Sequence, residues 1–194
     1  MLALKPVPRS IARPLVPADV PIFCSACTRT LALLYVAHYN SSPVGEYREL
    51  IVAPALVRNG QSVAFWISHI VVDSAASVEA GRSIWALPKV LGSFQWRSQP
   101  GPRVELDSDE VIFRCEATPD RGRLRIPLLG AGRSRLGVSS KAFALHGSAS
   151  IGFVRGTLHL SGDEGLRALG FERSQTLCWL RNMRLVIGAA RDVS

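Results

Sequence analysis

Apolar and polar positions alternate in short runs along most of the chain. Ile22 to His38 is rich in apolar and β-branched residues and predicts one or two strands. Arg48–Val57 and Gln61–Val72 predict further strands, divided by the turn signal Arg58-Asn59-Gly60. Shorter strand-like runs follow at Phe94–Arg97, Val104–Leu106, Val111–Ala117 and Leu124–Leu128. Lys141–Leu145, Ser150–Leu160 and Thr176–Ile187 complete the set. Two segments break this rhythm. Asp73 can cap the free backbone N–H groups of the residues after it, which predicts a helix from there to about Gly81 or just beyond. Pro88 prevents any helix from continuing through Lys89. Asp163–Leu169 predicts a second short helix, with Gly170 as its stop. Residues 1–20 are proline-rich without periodicity and read as an extended N-terminal arm, leaving 21–194 as a single domain. So many short strands would leave open edges unless the sheet closes. The expected fold is mainly β (a β-rich α+β class): a closed or nearly closed antiparallel barrel or cone with two or three short helices.

Composition narrows the function classes. At 194 residues, 47 % apolar and 20 % charged, the chain can bury a core without disulfides or metals. No run approaches the ~18 apolar residues of a spanning helix, and the prolines of the N-terminus do not fit a secretory signal. The expectation is a cytoplasmic protein without membrane association. The net charge of +8 comes almost wholly from arginine, with twenty arginines against three lysines. Its densest cluster, Arg121 to Gly137, lacks interleaved aromatics and reads as solvated loops rather than a nucleic-acid site. Gly130–Gly137 also lacks the strand-before, helix-after context of a phosphate loop. Cys24 and Cys27 form a C-x-x-C, but no second pair follows, so small buried cysteines explain them better than zinc or redox chemistry. His38 and His69 lack metal-ligand spacing, and no metal site is expected.

One lysine stands out. Lys89 lies in EAGRSIWALPKVLGSF, among Ile84, Trp85, Ala86, Leu87, Pro88, Val90 and Leu91. A lysine in apolar company either snorkels to water or serves as an amine. A protonated amine is no nucleophile, and its ordinary pKa is about 10.4. Burial disfavours the ammonium form, and a free amine can then attack a ketone to give an imine, which acts as an electron sink. Upstream, GEYRELIVAP carries Glu46, read as solvent-facing, and Glu49, which leads into a strand.

GRSIWALPKVLG resembles the active-site segment of acetoacetate decarboxylases, in which Gly-Arg precedes a short apolar run and Pro-Lys. GEYRELIVAP resembles that family's segment ending in a carboxylate that faces the lysine, and His69–Gly81 matches the strand and helix between them. The likeness runs from about Leu31 to the end of the chain, with 45–97 its specific part. It implies an acetoacetate decarboxylase-like barrel with Lys89 as the Schiff-base lysine and Glu49 orienting it and moving protons. Acetoacetate decarboxylase is itself the familiar instance of a lysine activated by its surroundings. Arg82 matches the arginine of the family's Gly-Arg pair and takes a structural or pocket-edge role in substrate binding, while Trp85, Leu87 and Val90 are expected to form an apolar wall that contacts substrate and keeps the amine neutral. The implied reaction is decarboxylation of a small β-keto acid, with no metal or organic cofactor. Two alternatives use the same scaffold: imine-dependent aldol or dehydratase chemistry on an α-keto acid, and a non-catalytic binding protein. The apolar strands imply a homo-oligomer. Three positions depart from the family pattern. Val90 replaces a second lysine, an ungapped reading puts Leu34 at a further carboxylate, and no clear counterpart exists for an N-terminal arginine.

Overall fold

The structure is a computed structural model that describes residues 1–24, 28–97, 102–118, 124–171 and 175–193. Cys27 of the C-x-x-C pair and Arg121–Arg123 of the basic cluster lie outside the described residues. Fourteen strands join one sheet. In chain order they are β1 (Leu2–Pro8), β2 (Arg29–Tyr39), β3 (Tyr47–Ala53), β4 (Ala55–Asn59), β5 (Ser62–Trp66), β6 (His69–Val72), β7 (Lys89–Leu91), β8 (Ser93–Arg97), β9 (Arg103–Asp107), β10 (Ile112–Ala117), β11 (Leu124–Leu136), β12 (Ser139–Ser161), β13 (Gln175–Ile187) and β14 (Arg191–Asp192). Three short helices accompany them: α1 (Arg9–Ala12), α2 (Ala75–Trp85) and α3 (Glu164–Ala168).

The central order is β4-β5-β11-β12-β13-β1-β2-β3-β6-β7. This sheet curls into a half-barrel rather than closing fully. Each face of the sheet carries an apolar cluster. Phe143 of β12 shares one with Ile70, Val72 and Leu87, although β13, β1, β2 and β3 separate β12 from β6. The opposite face carries Leu34, Val36, Leu50, Val52 and Val71, and it packs into the main core with Val104, Phe113, Leu158 and Leu166.

Alternation along β1 and β2 makes the division visible. Ala3, Val7, Ala32, Leu34 and Val36 are all at most 3 % exposed on the main-core side. Residues 1–20 are thus built into the fold. β1 pairs with β2 over its whole length, and α1 with Val16 and Val20 enters the core. Pro6 and Pro8 are tolerated because β1 meets β13 only at Leu2, so no ladder bond is asked of them on that side.

Helix α2 differs from expectation at its start. Its N-cap is Ser74, whose hydroxyl accepts from the Ser77 N–H at 3.3 Å. The carboxylate of Asp73 is instead engaged by the Arg48 backbone N–H at 2.7 Å and its guanidinium at 2.8 Å. This clamp ties the start of α2 to the start of β3. The helix passes through Gly81 and ends at Ala86, which adopts the left-handed conformation at φ +51°. α3 starts on its expected cap, Asp163, and stops at Gly170 with φ +67°. The two runs expected at 141–145 and 150–160 form one strand, β12. A bulge between Ser148 and Ser150, opposite Asn182 at φ +49°, lets it bend without breaking.

Candidate active site

Lys89 opens β7 on the face that carries Ile70 and Val72 and is 5 % exposed. Its Nζ donates to Glu49 Oε2 at 2.8 Å and to Ser77 Oγ at 2.9 Å. The nitrogen also lies 5.3 Å from the centroid of the Tyr47 ring. Glu49 is equally buried and comes from the middle of β3, while Ser77 comes from the first turn of α2. The Arg48–Asp73 clamp sits one residue from Glu49 and just ahead of α2, so it keeps these two partners in register. Taking both charges out of water costs several kcal/mol per ion, which the short contact and the extra hydrogen bonds offset.

The local sequence builds this geometry directly. A Cβ at position 81 would lie 2.6 Å from Lys89 Cδ and 2.7 Å from Cε. Glycine is required there for the lysine stem to cross the helix surface. Arg82 Nε donates to the Lys89 carbonyl at 2.9 Å, fixing the backbone rather than touching the amine. Pro88 sits at the centre of a tight turn in which the Lys89 N–H donates to the Leu87 carbonyl at 2.8 Å. Gly81, Arg82 and Pro88 thus set the stem, the carbonyl and the turn of one residue.

The other expected site residues divide between the two faces. Leu87 is buried in the cluster with Ile70, Val72 and Phe143. Trp85 packs against that cluster, edge-on to Phe143 at 6.5 Å, and its indole N–H donates to the Gly188 carbonyl at 3.0 Å. Val90 does not wall the amine: strand alternation turns it to the other side of the sheet, where it packs against the main core. Leu34 lies in that same core, away from Glu49. The residue paired with Glu49 across β2 is Ala37. Glu46 is solvent-facing as expected and pairs with His38 at 2.7 Å.

The sequence reading missed Ser77 and the tyrosines. All three tyrosines of the chain, Tyr35, Tyr39 and Tyr47, converge here. The Tyr39 hydroxyl donates to Glu49 Oε1 at 3.4 Å and lies 3.1 Å from that of Tyr35, which reaches Met183 Sδ at 3.3 Å. Burial holds all three phenols well above their ordinary value, so they are neutral donors at physiological pH. Their spacing is the signal that could have found them: Tyr35 and Tyr39, then Tyr47 and Glu49, differ by even numbers and so share strand faces.

A separate surface cleft of about 800 Å³ lies beyond β7, lined by Arg82, Pro88, Val90, His69, Glu110 and Asp163 among others. The Lys89 amine is not part of its wall. We take the site to be the buried amine and not this cleft, because the convergent polar groups surround the amine. Among the described residues, no helix is long and apolar enough to cross a membrane.

Comparison with known proteins bears on the fold and the family. Over 88 residues the chain is 31 % identical to Protein NEOXANTHIN-DEFICIENT 1 of Oryza sativa subsp. japonica, covering 45 % of this chain and 29 % of that protein. The match thus spans under a third of that relative. The fold is similar to that of acetoacetate decarboxylase from Legionella pneumophila subsp. pneumophila str. Philadelphia 1. Their TM-score is 0.73 at 13 % identity, over 100 % of this chain and 83 % of the other. An acetoacetate decarboxylase-like enzyme from Sphingomonas wittichii RW1 is similar with a TM-score of 0.59 at 16 % identity, over 99 % and 89 % of the two chains. At such identities these two likenesses are of fold. The family model described as Acetoacetate decarboxylase (ADC) matches residues 6–123, a stretch that holds Glu49, Ser77, Gly81, Arg82 and Lys89. The chain belongs to the acetoacetate decarboxylase family.

Proposed function

We propose that this protein is an imine-forming carbon–carbon lyase that decarboxylates a β-keto acid through Lys89. The observation that carries the reading is the buried 2.8 Å contact between Lys89 Nζ and Glu49 Oε2. It gives the ammonium proton a place to go. Transfer to Glu49 frees the amine, which adds to the ketone carbonyl. Glu49 returns the proton as the carbinolamine loses water, leaving a protonated imine. The Cα–carboxylate bond then breaks, its electron pair moves into the iminium, and CO₂ departs. Protonation of the enamine carbon and addition of water release the ketone and restore the amine. A substrate carboxylate beside Glu49 is repelled, and loss of CO₂ relieves that repulsion as the transition state forms. Ser77 and the Tyr47 ring hold the amine on this trajectory, while Leu87 and Trp85 help exclude water.

Reductive trapping tests the reading. The protein is incubated with acetoacetate and cyanoborohydride, and the Lys89 peptide is examined by mass. Lys5 and Lys141 serve as internal controls. An adduct on Lys89, absent in Lys89→Ala, together with CO₂ release in the unreduced reaction, is the expected result. Trapping with pyruvate and an aldehyde, with a condensation product and no CO₂, would move the assignment to aldol chemistry. No adduct with either would leave a binding protein.

A further inference from the structure

The cleft beyond β7 takes no part in the imine chemistry. Its volume of about 800 Å³ falls in the range of small-molecule sites. It lies on the reverse of the strand pair that carries the amine. The pairing of β6 with β7 sets Ile70 beside Lys89 and Val71 beside Val90. Lys89 and Ile70 share one face, while His69, Pro88 and Val90 line the cleft on the other. The sheet itself therefore stands between the cleft and the amine.

Both signs of charge line this space. Arg82 and Arg167 supply guanidinium groups, and Asp109, Glu110 and Asp163 supply carboxylates. Among the described residues, no ion pair joins any of these five side chains. The two signs come mostly from different elements. Arg82 lies in the last turn of α2, whereas Asp109 and Glu110 form the turn between β9 and β10, and Asp163 caps α3. Glu110 and Asp163 both act electrostatically on His69, so these acids gather in one part of the cleft.

Arg82 is the preorganised member of the set. Its Nε is committed to the Lys89 carbonyl at 2.9 Å, which fixes the plane of the guanidinium. The Nη edge is left to offer a carboxylate two parallel hydrogen bonds. The acids do not call for a metal. Among the described residues, no group of three or more His, Cys, Asp or Glu side chains is arranged to hold one. A simple anion here would meet carboxylates, and a simple cation would meet guanidinium groups. A ligand with both signs finds a partner for each, and clefts with low-dielectric walls strengthen such attraction. A compact space of that volume is about 9 Å across, and two residues of extended chain span about 7 Å.

We propose that this cleft is a second binding site, for a zwitterionic small molecule of dipeptide size. Its carboxylate lies on Arg82, its ammonium on the Asp109, Glu110 and Asp163 carboxylates, and its apolar side chains on Val90, Ile112 and Leu136. The proposal does not rest on the imine reading, because nothing in it involves the Lys89 amine.

Calorimetric titration with dileucine is the test. N-acetyl-dileucine, which lacks the ammonium, and dileucine amide, which lacks the carboxylate, are titrated alongside. A hydrogen bond to a charged group is worth about tenfold or more in affinity, so each capped form should bind about tenfold or more weakly than dileucine. Glu110→Gln with Asp109→Asn alters two exposed residues outside the amine site. This double variant should weaken dileucine but not N-acetyl-dileucine, which has no ammonium to lose. Arg82→Gln should weaken dileucine but not dileucine amide. Each variant thereby carries its own folding control, since it still binds the capped form that does not use the altered group. No saturable binding of dileucine would overturn the proposal. So would equal affinity for the capped and uncapped forms, or dileucine affinity unchanged in both variants. All of these readouts are independent of trapping on Lys89.

Discussion

Gly81→Ala isolates the geometry of the lysine from the stability of the fold. The added methyl would meet Lys89 Cδ at 2.6 Å and Cε at 2.7 Å. Carbon atoms rest at about 3.5–4.0 Å, so the stem must retreat by about 1 Å. It cannot do so freely. The head is held at 2.8 Å by Glu49 and 2.9 Å by Ser77, and the Lys89 carbonyl is held by Arg82. A misplacement of that size at a reacting atom costs on the order of 100-fold in rate. Stability changes much less. Overpacking costs about 1–3 kcal/mol, and alanine regains about 1 kcal/mol of helix propensity over glycine. The expected outcome is a chain within about 2 kcal/mol of the parent by urea denaturation, with single-turnover trapping on Lys89 slowed about 100-fold. Trapping within threefold of the parent rate would refute the claim that Gly81 exists to pass the lysine stem.

Three further outcomes follow from the same geometry. Lys89→Met leaves the Glu49 carboxylate buried without its partner and should cost about 3–5 kcal/mol in urea denaturation; adding Glu49→Leu should recover most of the loss. Tyr35, Tyr39 and Tyr47 are raised by burial above the unfolded value near 10, so their contribution is complete below pH 10 and is lost as pH rises beyond it. Absorbance at 295 nm should show no tyrosinate until the far-ultraviolet circular dichroism reports unfolding, and a phenol titrating near 10 in the folded chain would contradict this. His69 is lowered by burial, so its contribution is present above the unfolded value near 6.5 and is lost as pH falls below it. The melting temperature of the parent should decline between pH 7 and pH 5 more steeply than that of His69→Gln.

The legible part of the site was the part written in contiguous residues. Gly81, Arg82, Pro88 and Lys89 serve a single side chain within one helix-to-strand turn, so their spacing is nearly fixed. Glu49 was legible because it begins a recognisable strand segment. Tyr35, Tyr39 and Ser77 were not, because their meeting depends on how β2 registers against β3 and on where α2 starts. A slip of one residue in either would send them elsewhere. The helix start was ambiguous on its face: Asp73 and Ser74 both cap well, and Arg48, distant in sequence, decides between them by engaging Asp73. Gly81 looked like a helix stop because glycine usually is one, but here close approach outweighs that preference. Val90 was the avoidable error, since alternation in a strand already puts it opposite Lys89. The N-terminal prolines hid β1, whose pairing with β2 tolerates them only because β13 has diverged by then.

The buried pair is also where the fold departs from its own pattern. Around Lys89 this face of the sheet is filled by Ile70, Val72, Leu87 and Phe143, and a leucine or methionine would continue that packing without desolvating an ion. A buried salt bridge is at best a weak source of stability against an apolar pair of similar volume. The chain nonetheless gives up a side chain at Gly81, ties Arg82 to the Lys89 backbone and gathers every tyrosine it has around this pair. Packing alone would select none of these. They make physical sense together if the amine must be held dry, aimed and able to exchange its proton with Glu49. Local rules are broken in natural folds chiefly where chemistry requires it, and here the breaks all fall within reach of one nitrogen atom.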